Sequence, residues 1–266
     1  MLNILFNPKK AERHYLEMLL VGFFYSSISL LISLWIFSDY ASIGMVFLSV
    51  FSCLYVVQGA LKLEENKEKD YNPESWLLKQ HFKILLFLLF LFFGFVLAFS
   101  FWSFVLPSSK ISVLFEMQKN SVERINQFTG NAVLPSAFFK ILSNNIKVLI
   151  LSIIFALFYG AGAIFVLVWN ASVMGFVIGD LARKTFGIVA LPLAFTKYFL
   201  HGIPEMFAYL IGALVGGILF TAFIKGDLLK KDRAKRILID SFVLILISIF
   251  ILIFAAFIEV YISPLV

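Results

Sequence analysis

Apolar residues run through this chain in long unbroken blocks rather than at the spacing of a single buried face. Stretches free of Asp, Glu, Lys and Arg cover residues 18–38 (21 residues), 40–61 (22), 84–109 (26), 148–179 (32), 206–224 (19) and 241–258 (18). A helix crossing about 30 Å of hydrocarbon needs about 20 such residues at about 1.5 Å each. Six blocks therefore reach or nearly reach spanning length. The block of 32 is too long for one simple span and contains turn material, Tyr159-Gly160-Ala161-Gly162. Two crossings fit it, with a re-entrant segment between 138 and 202 left open. The expected fold class is all-α: a polytopic transmembrane bundle of about seven helices.

Composition agrees. Of the 266 residues, 61% are hydrophobic and 14% charged, and the mean hydropathy is +0.97. A soluble domain carries about 25% charged residues, and so few could not cover a soluble surface. The same deficit excludes a disordered chain or a nucleic-acid binder, despite a pI near 9.3. The first block follows a basic start, as a signal peptide would. It is longer than a signal's apolar region and no small-residue cleavage site follows, so residues 16–37 are read as a retained span.

The distribution of charge sets the expected orientation. Of the 22 Lys and Arg, 14 fall in three segments: Lys9, Lys10 and Arg13; five lysines between Lys62 and Lys83; and six basic residues between Lys225 and Arg236. The positive-inside rule places all three in the cytoplasm, which puts the N-terminus inside and the C-terminus outside. The expected organisation is an N-terminal hairpin over 1–62, a cytoplasmic linker over 63–83 and a membrane core over 84–266.

Residues 107–143 are then the one sizeable outer segment. Ile111, Leu114, Phe115, Val122, Ile125 and Phe128 recur there at helical spacing. That pattern fits an amphipathic helix lying in the interface, or a loop helix packed over the bundle. Thr129-Gly130-Asn131 reads as its stop and Pro135 as the next start. The 62–83 segment balances five lysines with five acids and reads as a solvated helical extension. Cys53, the sole cysteine, excludes intramolecular disulfides and zinc clusters.

Polar groups inside apolar runs are the informative residues of a membrane protein. Lys197, His201 and Glu205 stand at i, i+4 and i+8, which places them on one helix stripe. Ala208 and Gly212 continue it, so it faces protein. Gly202 and Pro204 within it predict a helix break, which would free backbone groups of the kind found at ligand sites. Asn170 lies inside the long block, and Asn144 and Asn145 at the outer start of the fourth helix. Interhelical hydrogen bonding and a shared functional site are both open for these residues. Gly160, Gly162, Gly175, Gly179, Gly212, Gly216 and Gly217 read as close-packing positions.

Catalytic motifs were sought without success. The chain has no His-Glu-x-x-His helix, no Gly-x-Ser-x-Gly elbow and no phosphate-binding loop, and Ile178-Gly179-Asp180 lacks the second glycine of an intramembrane aspartyl protease. No metal site and no cofactor are expected.

Five motifs do occur in a specific order: Ser143-Asn144-Asn145; Tyr159-Gly160-Ala161-Gly162-Ala163; Trp169-Asn170-Ala171-Ser172; His201-Gly202-Ile203-Pro204-Glu205; and Phe257-Ile258-Glu259-Val260-Tyr261-Ile262-Ser263-Pro264. In this order they resemble the stage II sporulation protein M family, in its archaeal-type branch, over about residues 84–266. The first two helices, followed by Lys62-Leu63-Glu64-Glu65, resemble that branch's additional N-terminal hairpin. The resemblance implies a polytopic component of a membrane machine, without enzymatic activity of its own. In endospore formers it holds cell-wall hydrolases at the membrane. The archaeal-type branch has no murein to cut, so what carries over is the architecture.

The expected role is thus a non-enzymatic scaffold in the cell membrane, in contact with the bilayer and with membrane or envelope proteins, or with further copies of itself. No nucleic-acid partner is expected. The alternative is a transporter or channel for a small solute, ion or lipid, using a polar site around residues 197–205. An intramembrane enzyme using His201 and Glu205 ranks last.

Overall fold

A computed structural model describes residues 16–67, 77–129, 134–159, 163–185 and 187–265. Every regular element among them is helical: α1 (Glu17–Ile36), α2 (Ala41–Lys67), α3 (Leu77–Val105), α4 (Ser108–Leu114), α5 (Glu116–Thr129), α6 (Leu134–Tyr159), α7 (Ala163–Lys184), α8 (Leu191–Ile224) and α9 (Lys231–Phe257). A π-helical turn, Ile258–Ile262, continues α9. Seven of the helices are long and apolar enough to cross a membrane. The 32-residue block is divided between α6 and α7, as two separate helices. The expected turn at Gly160 and Gly162 lies outside the described residues. So do Lys9, Lys10 and Arg13, the linker from 68 to 76, and the expected stop at Gly130-Asn131.

The helices form two packed groups. In one, α1 lies along α2 and α3, and α3 lies along α7; in the other, α8 lies against α6 and α9, and α7 joins the groups by touching α8. Helix α3 is the hub of the first group, with 67% of its spanning window buried. Its Phe87, Phe92, Phe95 and Phe99 are fully buried. Close approach explains the crossings. A Cβ on Gly22 would strike the Leu91 carbonyl, and one on Gly94 would strike the Leu19 carbonyl, so α1 and α3 meet backbone to backbone. Gly175 and Gly179 let α7 approach Phe99, Ser100 and Ser103 of α3; Gly212 and Gly216 let α8 approach Leu149, Ile153 and Ala156 of α6. Gly217 departs from the close-packing expectation, because it faces open space.

Several serines satisfy themselves within the spans. Ser26, Ser49, Ser152 and Ser248 each donate to the carbonyl four residues back, which lets a hydroxyl sit in an apolar helix.

Three expectations need correction. The outer segment ends sooner than 143, because α6 begins at Leu134; Asn144 and Asn145 lie about ten residues inside that helix rather than at its start. Of the two readings of the amphipathic segment, the structure shows the one packed over the bundle. Phe115 is fully buried, edge-on to Phe99 and stacked on Phe176. Gln118 is also fully buried; it accepts from Ser42 Oγ at 2.8 Å and donates to Ser172 Oγ at 3.0 Å. The polar requirement of Gln118 thus ties α5 to α2 and α7.

The third correction concerns Gly202 and Pro204. No break occurs: α8 runs unbroken for 34 residues with Pro204 inside it. Proline removes one N–H, at a cost of about 3 kcal/mol in a helix interior. Here the long apolar helix is held on both sides of that point by α6, α7 and α9, and packing outweighs the lost bond. Gly202 acts in packing instead, since a Cβ there would strike the end of Met174 on α7.

Candidate functional site

Where α6, α7 and α8 meet the end of α9, the bundle is not closed. A cavity of about 630 Å³ lies there, beneath Val122 of α5. Asn144, Asn145, Asn170, His201, Gly202 and Glu205 all line it. The i, i+4 relation of His201 and Glu205 places both on the α8 face that meets α6 and α9. Lys197 belongs to the same sequence stripe but does not line the cavity; it stands one turn nearer the start of α8. Pro204 lies outside it too, in a shallow apolar groove with Phe199, Leu200 and Ile203.

The polar groups form connected pairs. Asn144 Nδ2 is 3.5 Å from Asn145 Oδ1. Asn145 Nδ2 donates to Glu205 Oε1 across the α6–α8 interface. Glu259, in the π-helical turn after α9, lines the same cavity as Glu205. A carboxyl in a spanning helix costs several kcal/mol unless it finds a hydrogen-bond partner, as Glu205 does in Asn145. His201 Nδ1 lies 3.0 Å from the Ser263 hydroxyl, and its ring meets Tyr198 edge-on. Asn170 is less engaged: its Nδ2 donates to the Val166 carbonyl of its own helix at 2.7 Å.

The sequence reading singled out neither Glu259, Tyr198 and Tyr209 nor Lys140 and Lys147 as cavity residues. Glu259 left a signal, because it is the charge that closes the last apolar block. The π-helical turn also marks the spot, since such turns gather at functional positions. The tyrosines left none, as aromatic residues are common throughout the chain.

The arrangement offers two carboxyls, an imidazole, two phenols, three amides, a hydroxyl and the two exposed ammonium groups of Lys140 and Lys147, a set suited to holding a ligand by charge and hydrogen bonds. Among the described residues, no group of three His, Cys, Asp or Glu side chains is placed to hold a metal ion.

The helices and the half-open polar cavity together define a polytopic α-helical membrane protein. Residues 84–264 match the family Stage II sporulation protein M, and the chain belongs to that family. An uncharacterized protein of Methanocaldococcus jannaschii is 31% identical over 153 residues, which make up 54% of this chain and 83% of that protein. No solved structure matches the chain. The matched region starts at residue 84, so α1 and α2 precede it.

Proposed function

We propose that the protein is a non-enzymatic component of the cell membrane that assembles with other membrane or envelope proteins, its N-terminus in the cytoplasm. Family membership supports this reading, and the basic segments support the orientation. The observation that carries it is the exposure of α6. That helix buries 17% of its spanning window, against 39–67% for the other six. Its uncovered face carries Ser143, Asn144 and Lys147, followed by Ile150, Leu151 and Ile154. These polar residues border the cavity and the apolar ones follow them on the same helix, a mixed surface that a protein neighbour, or a second copy, would cover. Photo-crosslinking from position 144 in native membranes tests this. Reproducible adducts of one size are expected, and an uncrosslinked chain would overturn it.

A second reading, a carrier for a small polar solute, is favoured by the cavity itself. Reconstituted vesicles should then show a flux that falls with Glu205→Gln or His201→Ala. The absence of any such flux removes that reading.

A further inference from the structure

We infer that the cavity binds a phosphoethanolamine group, its ammonium end toward Glu205 and Glu259 and its phosphate end toward Lys140 and Lys147. The inference rests on the second reading above only in using the same cavity. Binding requires neither flux nor a neighbour on α6, so each of these readings can fail alone.

The cavity has two unlike walls. One is α6, which brings Lys140 and Lys147 and no acid; the other is α8 with the turn after α9, which brings Glu205 and Glu259 and no lysine or arginine. The two lysines are exposed and the two glutamates half-buried. Positive charge therefore stands at the mouth, and the carboxyls stand further in. Among the described residues, no lysine or arginine forms an ion pair with Glu205 or Glu259. Opposite charges that share a cavity without closing on one another complement a ligand with one charge of each sign. A lone cation would meet the lysines, and a lone anion would meet the carboxyls.

Hydrogen-bonding capacity has the same polarity. Asn145 donates to Glu205 Oε1, which uses one of about four acceptor positions on that carboxyl. The rest of the acidic wall's oxygens can accept from an ammonium group, which has donors only. The lysines have donors only as well, and these suit phosphate oxygens, which accept.

Depth narrows the class. Along α8, Glu205 stands 20 residues from Lys225, and Glu259 stands 19 residues beyond Asp240 of α9. At about 1.5 Å per residue each distance is about 30 Å, the thickness of the hydrocarbon layer. With Lys225 and Asp240 at one boundary, the two carboxyls lie at the other, level with the lipid headgroups. An ammonium joined to a phosphate by a short chain is a zwitterion of that level, and it also exists as a free ester. A volume of about 630 Å³ has room for either.

The test is calorimetric titration of the full chain, in maltoside detergent, with phosphoethanolamine. Ethanolamine and inorganic phosphate, each carrying one end of it, are titrated beside it. Saturable binding of phosphoethanolamine is expected, about tenfold tighter than that of either fragment. Lys147→Gln should weaken it about tenfold and leave ethanolamine unchanged; Glu259→Gln should weaken it as much and leave phosphate unchanged. A merely structural role would move both fragments together. Native mass spectrometry of the chain taken from vesicles containing phosphatidylethanolamine separates the two sources. A retained phospholipid that phosphoethanolamine displaces marks the headgroup, and a lipid-free chain that gives the calorimetric signal marks the free ester. The proposal falls if there is neither saturable heat nor a displaceable phospholipid. It falls equally if one fragment binds as tightly as the whole, or if Lys147→Gln or Glu259→Gln leaves binding unchanged.

Discussion

The two helix groups solve the same problem in opposite ways. Both must bring long apolar helices together in a medium that gives no hydrophobic reward for doing so. The group of α1, α2, α3 and α7 closes completely. Glycines bring the backbones into contact, phenylalanines fill what remains, and serines bond within their own helices or across to a neighbour, as Ser103 does to the Phe176 carbonyl. The group of α6, α8 and α9 also uses glycines, at Gly212 and Gly216. Above them, however, it leaves a cavity and places two carboxyls, an imidazole and two amides around it. One group therefore depends chiefly on shape, with neutral hydrogen bonds between its helices, and the other carries an ionisable group, Glu205, in its interhelical bond. The difference teaches where the chain keeps its stability and where it keeps its chemistry.

The largest break should come in the closed group. Gly94→Leu forces a side chain into the Leu19 carbonyl, and its cost should exceed about 4 kcal/mol, in the range of exceptional mutations. Loss of monodisperse protein on fluorescence-detected gel filtration is the expected outcome. The open group should respond less. Asn145→Ala removes the amide that donates to Glu205 and should cost about 1–3 kcal/mol, read as a lower thermal midpoint in detergent. Asn170→Ala, whose amide serves only its own helix, should stay within about 0.5 kcal/mol. If these two variants behaved alike, the bond from Asn145 to Glu205 would not be what holds the group.

Gly217→Ala sharpens the comparison from the other side. That glycine faces open space, so alanine should raise stability by about 0.5–1 kcal/mol through helix propensity alone. The smallest effect lies in the turn before α9. There the Lys230 ammonium, bonded at 2.8 Å, and the Arg233 guanidinium at 2.9 Å hold the Asp227 carboxyl below its usual pKa. A depressed folded-state pKa stabilises above the unfolded value, about 3.9, and that contribution is lost as pH falls through the folded one. Asp227→Asn should thus melt slightly lower than the parent at pH 7, and the gap should close toward pH 2.

Much of the site's composition was legible because misplaced polarity is conspicuous in an apolar chain. His201, Glu205, Asn144, Asn145 and Asn170 stand out for that reason, and the structure brings them around one cavity. Lys197 stands out equally and falls outside it. Helical periodicity gives an angle about the axis, but it does not say how far the neighbouring helices extend along it. Pro204 misled in a related way. Local chemistry predicts a break, while the packing of α8 against three helices decides otherwise.

The chain's sequence by itself determined the class, the number of spans and the stripe shared by His201 and Glu205. Those follow from local quantities: run length against bilayer thickness, and the 3.6-residue period. The tertiary structure alone decided that Glu259 shares a cavity with Glu205, that Gln118 of α5 is buried, and that Gly22 and Gly94 form a crossing. Each depends on which helix faces which, and pairing in a bilayer turns on close packing between residues distant in the chain, to which a hydropathy pattern is blind.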